Sequence, residues 1–199
     1  GQTFDYPEEF FKERIHSIRR PRPDDFQIKE AAEKIKKSKN PIIISGGGVF
    51  YSNAMEELSN FAIKHNIPVT QTVMGYSTMK RDHSHYAGQI GGLGGKNTNE
   101  LAKETDLAIA VGTKLADFTT GSWANFENEN FKLLSINVSR FDANKHLAQA
   151  VIGDAKVSLI ELSEALGDWK VGDEWNEKSQ RELKVWNEPV SYTHLRAHE

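Results

Sequence analysis

Two glycine-rich segments are the parts of this sequence best suited to ligand binding, since glycine lets backbone N–H groups approach a phosphate closely. Ser45-Gly46-Gly47-Gly48 lacks both the G-x-G-x-x-G spacing and the lysine of a P-loop, so a tight turn and a nucleotide contact both remain open for it. Gly88-Gln-Ile-Gly91-Gly-Leu-Gly94 has a G-x-x-G-x-x-G spacing before a helix. No clear strand precedes that segment, which favours a flexible lining loop over a dinucleotide fingerprint.

The other polar residues give weaker signals. His83 and His85 share one loop without carboxylates at ligand spacing, which favours surface positions over a metal pair. The polar run that begins at Asp117 is interpreted as capping and turn chemistry, and Asp142 and Asp154 are predicted helix caps. The spacing yields no acid pair, no Ser/His/Asp set and no metal cluster. We therefore assign no catalytic residue and no metal ligand.

The composition excludes several classes of protein. The chain has 199 residues, 25 Lys and Arg against 28 Asp and Glu, a formal net charge of −3 and no cysteine. The balanced charge argues against a nucleic-acid binder, and the lack of cysteine excludes disulfides, thiolate zinc sites and a catalytic thiol. No apolar run approaches the roughly 20 residues that span a bilayer. We expect a protein of the cytoplasm, with no membrane and no nucleic acid among its partners.

Short apolar runs alternate with helical periods along the middle of the chain. This alternation predicts βαβ crossovers and hence an α/β fold, an open, doubly wound, Rossmann-like parallel sheet. Ligands bind such sheets outside the carboxyl ends of the strands. The predicted strands are Pro41–Ser45, Ile67–Thr72, Leu107–Val111, Phe131–Asn137 and Ala150–Ile152.

The predicted helices connect these strands. One begins at Asp24 or Asp25, and a capping box of Asn53 with Glu56 predicts the start of the next. The segment Met74–Asn99 is predicted to be a long, loop-rich connection. Two further helices are expected over Thr98–Glu104 and over Lys156–Leu166, the latter ending at Gly167.

The chain divides by composition into four parts. Residues 1–23, aromatic and basic, are interpreted as a docking linker, residues 24–167 as the Rossmann-like domain and residues 168–189 as a polar, partly helical linker. Residues 190–199 are similar to the in-frame translation of a sequencing adapter, with an ordinary tail as the alternative. We expect exposed apolar surface at Phe4–Ile18, at Trp123 and at Trp175–Trp186.

Five motifs occur in order along the middle of the chain: Pro41–Val49, Ile67–Thr72, the glycine segment Gly88–Gly94, Asp106–Thr113 and Val151–Ala155. Together they resemble a known family, the thiamine-diphosphate enzymes, a group that includes acetolactate synthase and pyruvate oxidase. The resemblance is to the central domain of that family and covers about Phe26–Leu166. It implies the same Rossmann-like fold.

Four other segments are most similar to one branch of that family, the trihydroxycyclohexanedione hydrolases of myo-inositol catabolism: Phe4–Pro7, Arg14–Arg20, Asp117–Trp123 and Ile136–Arg140. The resemblance implies a fragment of an enzyme that hydrolyses a C–C bond and opens the ring to 5-deoxy-glucuronate. The alternatives are the central domain of an acetolactate-synthase-like or other thiamine-diphosphate enzyme, or a free-standing nucleotide-binding module.

The resemblance also implies where the chemistry would reside. A pyrimidine-binding domain before this segment and a diphosphate-binding domain after it would hold thiamine diphosphate and Mg²⁺, so this chain alone is expected to be inactive. The partners implied are those flanking domains and further copies of the subunit, as a dimer or tetramer. Relatives bind FAD or ADP through loops that correspond here to Gly46, Gly47, Gly48, Gly91, Gly94, Gly112 and Thr113.

Overall fold

The computed structural model describes residues 3–195, with side chains up to residue 188. Its centre is one six-stranded sheet with the order β3-β2-β1-β4-β5-β6, in which every pairing is parallel. This confirms the predicted open, Rossmann-like α/β sheet. The strands are β1 (Pro41–Ser45), β2 (Val69–Gln71), β3 (Tyr86–Gln89), β4 (Leu107–Val111), β5 (Lys132–Asn137) and β6 (Gln149–Ile152).

The third strand, β3, is absent from the sequence-based prediction. It pairs with β2 through a register that shifts between Val69 and Thr70, and its Gly88 has a φ of +103°. A short edge strand with an interior glycine gives no apolar run, which explains why its pattern was read as loop. Gly91 and Gly94 therefore do follow a strand, contrary to the expectation for this segment.

Helices flank the sheet, and two aspartates cap them as predicted. The Oδ1 atom of Asp24 accepts a hydrogen bond from Phe26 N at 2.9 Å, and the Oδ1 atom of Asp154 accepts one from Lys156 N at 3.0 Å. The helices are α1 (Asp25–Lys36), α2 (Gly47–Tyr51), α3 (Met55–His65), α4 (Lys96–Glu104), α5 (Asp117–Thr120), α6 (Arg140–Ala143), α7 (Ala155–Leu166) and α8 (Asp173–Leu195). Among residues 3–195 no helix is long and apolar enough to cross a membrane.

Two predicted caps are wrong. The N-cap of α3 is Ala54, and Asn53 instead takes a left-handed φ of +52° at the end of the turn that follows α2. The N-cap of α6 is Ser139, whose hydroxyl accepts from Asp142 N at 3.3 Å. Both errors arise because a cap is defined by backbone conformation, which these residue types favour without fixing.

The segment after the central domain packs against the sheet. Trp175, expected to be exposed, is 6% exposed, and its indole Nε1 donates to Pro41 O at 2.8 Å. Gln180 Nε2 donates to Tyr86 O at 2.9 Å, so α8 covers the edge strand β3. The expectation of exposed apolar surface thus fails at Trp175 and holds at Trp186, which is 43% exposed.

The segment before the domain is exposed, as expected. The side chains of Phe4, Phe11 and Ile15 contact solvent over most of their surface. Trp123 is half-buried, which corrects the expectation for that residue. The linker and adapter assignments stay predictions; residues 1, 2 and 196–199 lie outside the described residues, as do the side chains of residues 189–195.

Replacing Trp175 tests whether α8 belongs to the core. Trp175→Phe leaves Pro41 O buried without its donor, so we expect the free energy of unfolding to fall by about 1–3 kcal/mol. The measurement is urea unfolding followed by circular dichroism. Trp186→Phe is the matched control and should change stability by less than about 0.5 kcal/mol. If both substitutions lowered the free energy of unfolding equally, the packing of α8 against the sheet through Trp175 would be contradicted.

Candidate functional site

The order of the strands reverses between β1 and β4, which is where open α/β sheets bind ligands. The loop after β1 carries Gly46–Gly48 and the loop after β4 carries Gly112 and Thr113, so the structure brings these predicted residues together. Gly46 N donates to Val111 O at 2.9 Å, and Gly48 N donates to Gly112 O at 2.9 Å. The two loops are thus joined by backbone hydrogen bonds.

The glycines at this point allow one backbone to touch another. A Cβ atom on Gly48 would lie 2.6 Å from Gly112 Cα, and one on Gly46 would lie 2.4 Å from Gly112 O. Gly112 itself has a φ of +60°, which favours glycine. Gly46, Gly48 and Gly112 therefore allow the two loops to approach each other closely.

The second glycine segment is held in place by side chains. Asn99 bonds to Gly91 twice: its Oδ1 accepts from Gly91 N and its Nδ2 donates to Gly91 O, each at 3.0 Å. Gly91 has a φ of +99°, and a Cβ there would lie 2.0 Å from Phe118 O. Gly94 N donates to Gly91 O at 2.9 Å. This loop is fastened to α4 and α5, which differs from the flexible lining loop predicted.

Most of the amides predicted to contact a nucleotide bond to the chain itself. Within the described residues, only the amides of Gly47 and Thr113 from that set make no such bond. A nucleotide contact stays a prediction, and those two amides are the donors that remain for it. The amides that donate to oxygens of the chain are those of Gly46, Gly48, Gly91, Gly94 and Gly112.

An exposed apolar rim surrounds these glycine loops, and it is the feature that sequence reasoning missed. Large apolar side chains are exposed after each of the strands β1 to β5, on the segments that leave the carboxyl edge. The sequence did contain a signal for this rim, namely large apolar residues that belong neither to a predicted strand nor to the apolar face of a predicted helix. The rim comprises Phe50, Tyr51, Val73, Met74, Tyr76, Leu93, Phe118, Val138 and Phe141.

His83 and His85 have structural roles. His85 is 7% exposed, which corrects its predicted surface position; its Nε2 lies 3.0 Å from Asn66 Oδ1. His83 Nε2 lies 2.9 Å from Ser59 Oγ. Burial, and then the neighbouring His83, lower the pKa of His85 to about 4. Among the described residues, no group of three or more His, Asp or Glu is placed to hold a metal ion.

The remaining predicted polar residues fix local structure. Asp117 is the first residue of α5 but does not cap it, because the N-cap is Ala116 and no side chain bonds there. The Oγ1 of Thr120 accepts a hydrogen bond from Trp123 N at 3.2 Å, which is turn chemistry as predicted. Asp154 also binds Arg20 Nη1 at 3.0 Å, and the same nitrogen donates to Ser52 O at 2.6 Å. Arg20 thereby fastens the N-terminal segment to the start of α7.

Gly48→Ala tests the contact between the two glycine loops. The new Cβ meets backbone that cannot rotate away, so we expect a loss of about 2–3 kcal/mol in the free energy of unfolding. Gly172→Ala is the control, because nothing lies within 4 Å of a Cβ there, and it should change stability by no more than about 1 kcal/mol. Chemical denaturation of both variants measures the difference. A neutral Gly48→Ala would show that the loops separate freely.

His85 predicts an acid-sensitive fold. Its pKa is about 4 in the folded state against 6.5 for an ordinary histidine, so between these values the unfolded state binds a proton that the folded state does not. Stability therefore falls as the pH decreases through this window, by about 2–3 kcal/mol from His85. His65 and His83 shift in the same direction through burial and add to the slope.

Urea unfolding of His85→Gln between pH 7 and pH 4 measures that contribution. The variant should show a visibly shallower decrease than the parent chain. His16→Gln, which alters an exposed histidine, should keep the parent's slope. Identical slopes for all three proteins would remove His85 as the cause.

Comparison with known proteins gives a consistent result. The family described as thiamine pyrophosphate enzyme, central domain, matches residues 28–162. Proteins named 3D-(3,5/4)-trihydroxycyclohexane-1,2-dione hydrolase are similar to the chain: that of Clostridium perfringens strain 13 is 42% identical over 190 residues, 96% of this chain and 30% of its own length. The protein of that name from Clostridium tetani is 40% identical over 96% of this chain and 30% of its own length. The one from Bacillus cereus strain AH820 is 39% identical over 98% of this chain and 30% of its own length.

A solved structure agrees on the fold. A thiamin diphosphate-dependent enzyme isolated from Mycobacterium smegmatis superposes with a TM-score of 0.63 and 22% identity, covering 78% of this chain and 30% of that one. The chain thus spans about 30% of the length of the curated relatives it matches. By the extent of the family match, the chain belongs to the thiamine pyrophosphate enzymes and contains their central domain.

Proposed function

We propose that this chain is the central, supporting part of a larger thiamine-diphosphate-dependent enzyme that hydrolyses a C–C bond of 3D-(3,5/4)-trihydroxycyclohexane-1,2-dione. The observation that carries the proposal is the identity of about 40% with relatives of that name over nearly the whole chain. The likeness extends beyond residues 28–162, the part common to the wider family. The product is 5-deoxy-glucuronate, and the reaction belongs to inositol breakdown.

The described residues support a structural role for this chain. They include no set of acidic or histidine side chains that could hold Mg²⁺, so they do not fit a metal site for the cofactor. When bound, thiamine diphosphate supplies the nucleophilic carbon that adds to a ketone. We assign the cofactor and Mg²⁺ to the flanking domains of the same subunit, and no step of the reaction to residues 3–188.

The apolar rim suits the contact that such an arrangement requires. Nine large apolar side chains on the segments that follow the strands are exposed, and exposed apolar surface of this kind marks interaction sites. We propose that flanking domains of the same subunit, or of a second subunit in a dimer or tetramer, cover it. Arg20, which bonds to Ser52 O and Asp154, sets the direction from which the preceding part of the chain arrives.

A nucleotide at the carboxyl edge is a narrower part of the proposal. ADP or the ADP half of FAD would have to use the amides of Gly47 and Thr113, because the other predicted amides already bond within the chain. The hydrolysis needs no redox flavin, so such a nucleotide would act structurally. We also place the enzyme in the cytoplasm, which suits a sequence without cysteine.

The deciding experiment uses the longer protein that contains this chain. Supplied with thiamine diphosphate and Mg²⁺, it should convert the cyclic dione to 5-deoxy-glucuronate, detected by mass spectrometry, and leave pyruvate unchanged. Omitting the cofactor is the control and should abolish turnover. Consumption of pyruvate without the dione would assign the chain to an acetolactate-forming enzyme instead.

The 199-residue chain alone should not bind thiamine diphosphate. Its described residues provide no metal site for the diphosphate, so calorimetric titration should give no heat beyond dilution, while the longer protein binds. Binding to the isolated chain with a Kd in the micromolar range (~8 kcal/mol) would overturn the assignment of the cofactor to the flanking domains.

A further inference from the structure

A groove lies along α1, beside the last strand of the sheet, and extends from Phe26 in the first turn of that helix to Lys37 at its end. It runs between α1 and the edge strand β6 and reaches the first residue of β5, with a volume of about 480 Å³. Four lysines line it, two within α1 and two outside it: Lys29, Lys34, Lys37 and Lys132. Neither the function proposed above nor the predicted nucleotide loops involve this groove.

The four lysines of the groove outnumber its two carboxylates. In the described part of the chain, none of the four ammonium groups forms an ion pair or a hydrogen bond. Two carboxylates also line the groove, and one of them, Glu33, contacts Lys36 at 3.4 Å. Burial and the charge of Lys132 both lower the pKa of half-buried Lys34. The carboxylate of Glu30 raises that pKa, but by less. The fold therefore brings like charges together in a partly dehydrated place.

A buried donor points to the same groove. Gln149, at the start of β6, lines it, and its Nε2 is buried with no hydrogen-bond partner. Buried amide groups are nearly always bonded, so an unpaired one calls for an acceptor that the chain does not supply. An anion with several oxygens would satisfy Gln149 and neutralise Lys34 and Lys132 at once.

The helix dipole explains only part of this arrangement. Lys34 and Lys37 lie near the C-terminal end of α1, where a positive charge is favourable without any ligand. Lys132 belongs to β5, and its charge opposes that of Lys34. The unpaired amide of Gln149 is likewise outside the helix. These two residues distinguish a binding site from an ordinary helix terminus.

We propose that this groove binds a small organic phosphate, with Lys34, Lys132 and Gln149 as donors to the phosphate oxygens. The volume exceeds that of a bare phosphate ion, and the exposed ring of Phe26 lines the groove where an organic part would lie. Nucleotides and sugar phosphates share this chemistry. The site is formed entirely by this chain, so it does not depend on the function proposed above.

The test is a titration of the ¹⁵N-labelled 199-residue chain, followed by NMR, with inorganic phosphate, ribose 5-phosphate and AMP in separate arms. We expect saturable shifts at Lys34, Lys132 and Gln149, with both organic phosphates binding more tightly than inorganic phosphate. Tighter binding of AMP than of ribose 5-phosphate identifies a nucleotide, and the reverse a sugar phosphate. Shifts confined to Gly47 and Thr113, or none up to about 10 mM, would overturn the proposal.

Removing a positive or a negative charge from the groove should change the affinity for the organic phosphate in opposite directions. Lys34→Gln should weaken binding about tenfold, whereas Glu30→Gln should tighten it about threefold by removing a competing carboxylate. Lys170→Gln removes an exposed lysine that does not line the groove and should leave the Kd unchanged. If Lys170→Gln weakened phosphate binding as much as Lys34→Gln does, the effect would come from the net charge of the protein, and the proposed site would be refuted.

Gln149→Met separates binding from folding. The substitution keeps the size of the side chain and removes the unpaired donor, so binding should weaken while the midpoint of thermal unfolding stays the same or rises. Unchanged binding in this variant would exclude Gln149 as a ligand. A lowered midpoint would mean that the amide serves the fold, and that outcome also counts against the proposal.

Discussion

The contact of Gly48 with Gly112 is the constraint on which the arrangement of the carboxyl edge depends. In open α/β sheets the crevice at the reversal of strand order is normally the place for a ligand. Here Gly48 N bonds to Gly112 O at 2.9 Å, and a Cβ on either glycine would collide with the other's backbone. The two central strands therefore end in loops that fill the crevice with their own main chain.

A filled crevice changes what the surrounding residues can do. Most of the amides that a phosphate would need already bond within the chain, and around them lies a rim of exposed apolar side chains. Such a surface suits packing against another folded unit better than it suits chemistry. The membership of a family of multi-part enzymes agrees with this reading, because the chain spans about 30% of its relatives.

The sequence predicted what depends on local pattern and missed what depends on distant contacts. The fully buried run Ile42–Ile44 and the cap Asp154 follow from apolar clustering and capping chemistry, and both are confirmed. Strand β3 has no such run, since an edge strand covered by α8 is defined by its pairing with β2. Trp175 and His85 were placed at the surface because their buried partners, Pro41 O and Asn66, are remote or unmarked in the sequence. The glycine-loop residues were predicted by resemblance as a nucleotide contact, which stays a prediction, and the hydrogen bonds of their amides within the chain could be seen only in three dimensions.

The apolar rim and the lysine groove lie on different parts of the fold, and the parallel topology accounts for the rim. All strands end at one edge, so the loops that leave them collect the apolar rim there. The lysine groove instead follows α1 and reaches Lys132 and Gln149, the first residues of β5 and β6. Strands β5 and β6 are adjacent, with Leu134 opposite Gln149, so the sheet fixes the positions of the backbone at Lys132 and Gln149. A ligand held there would contact the scaffold of the enzyme and not its reactive centre.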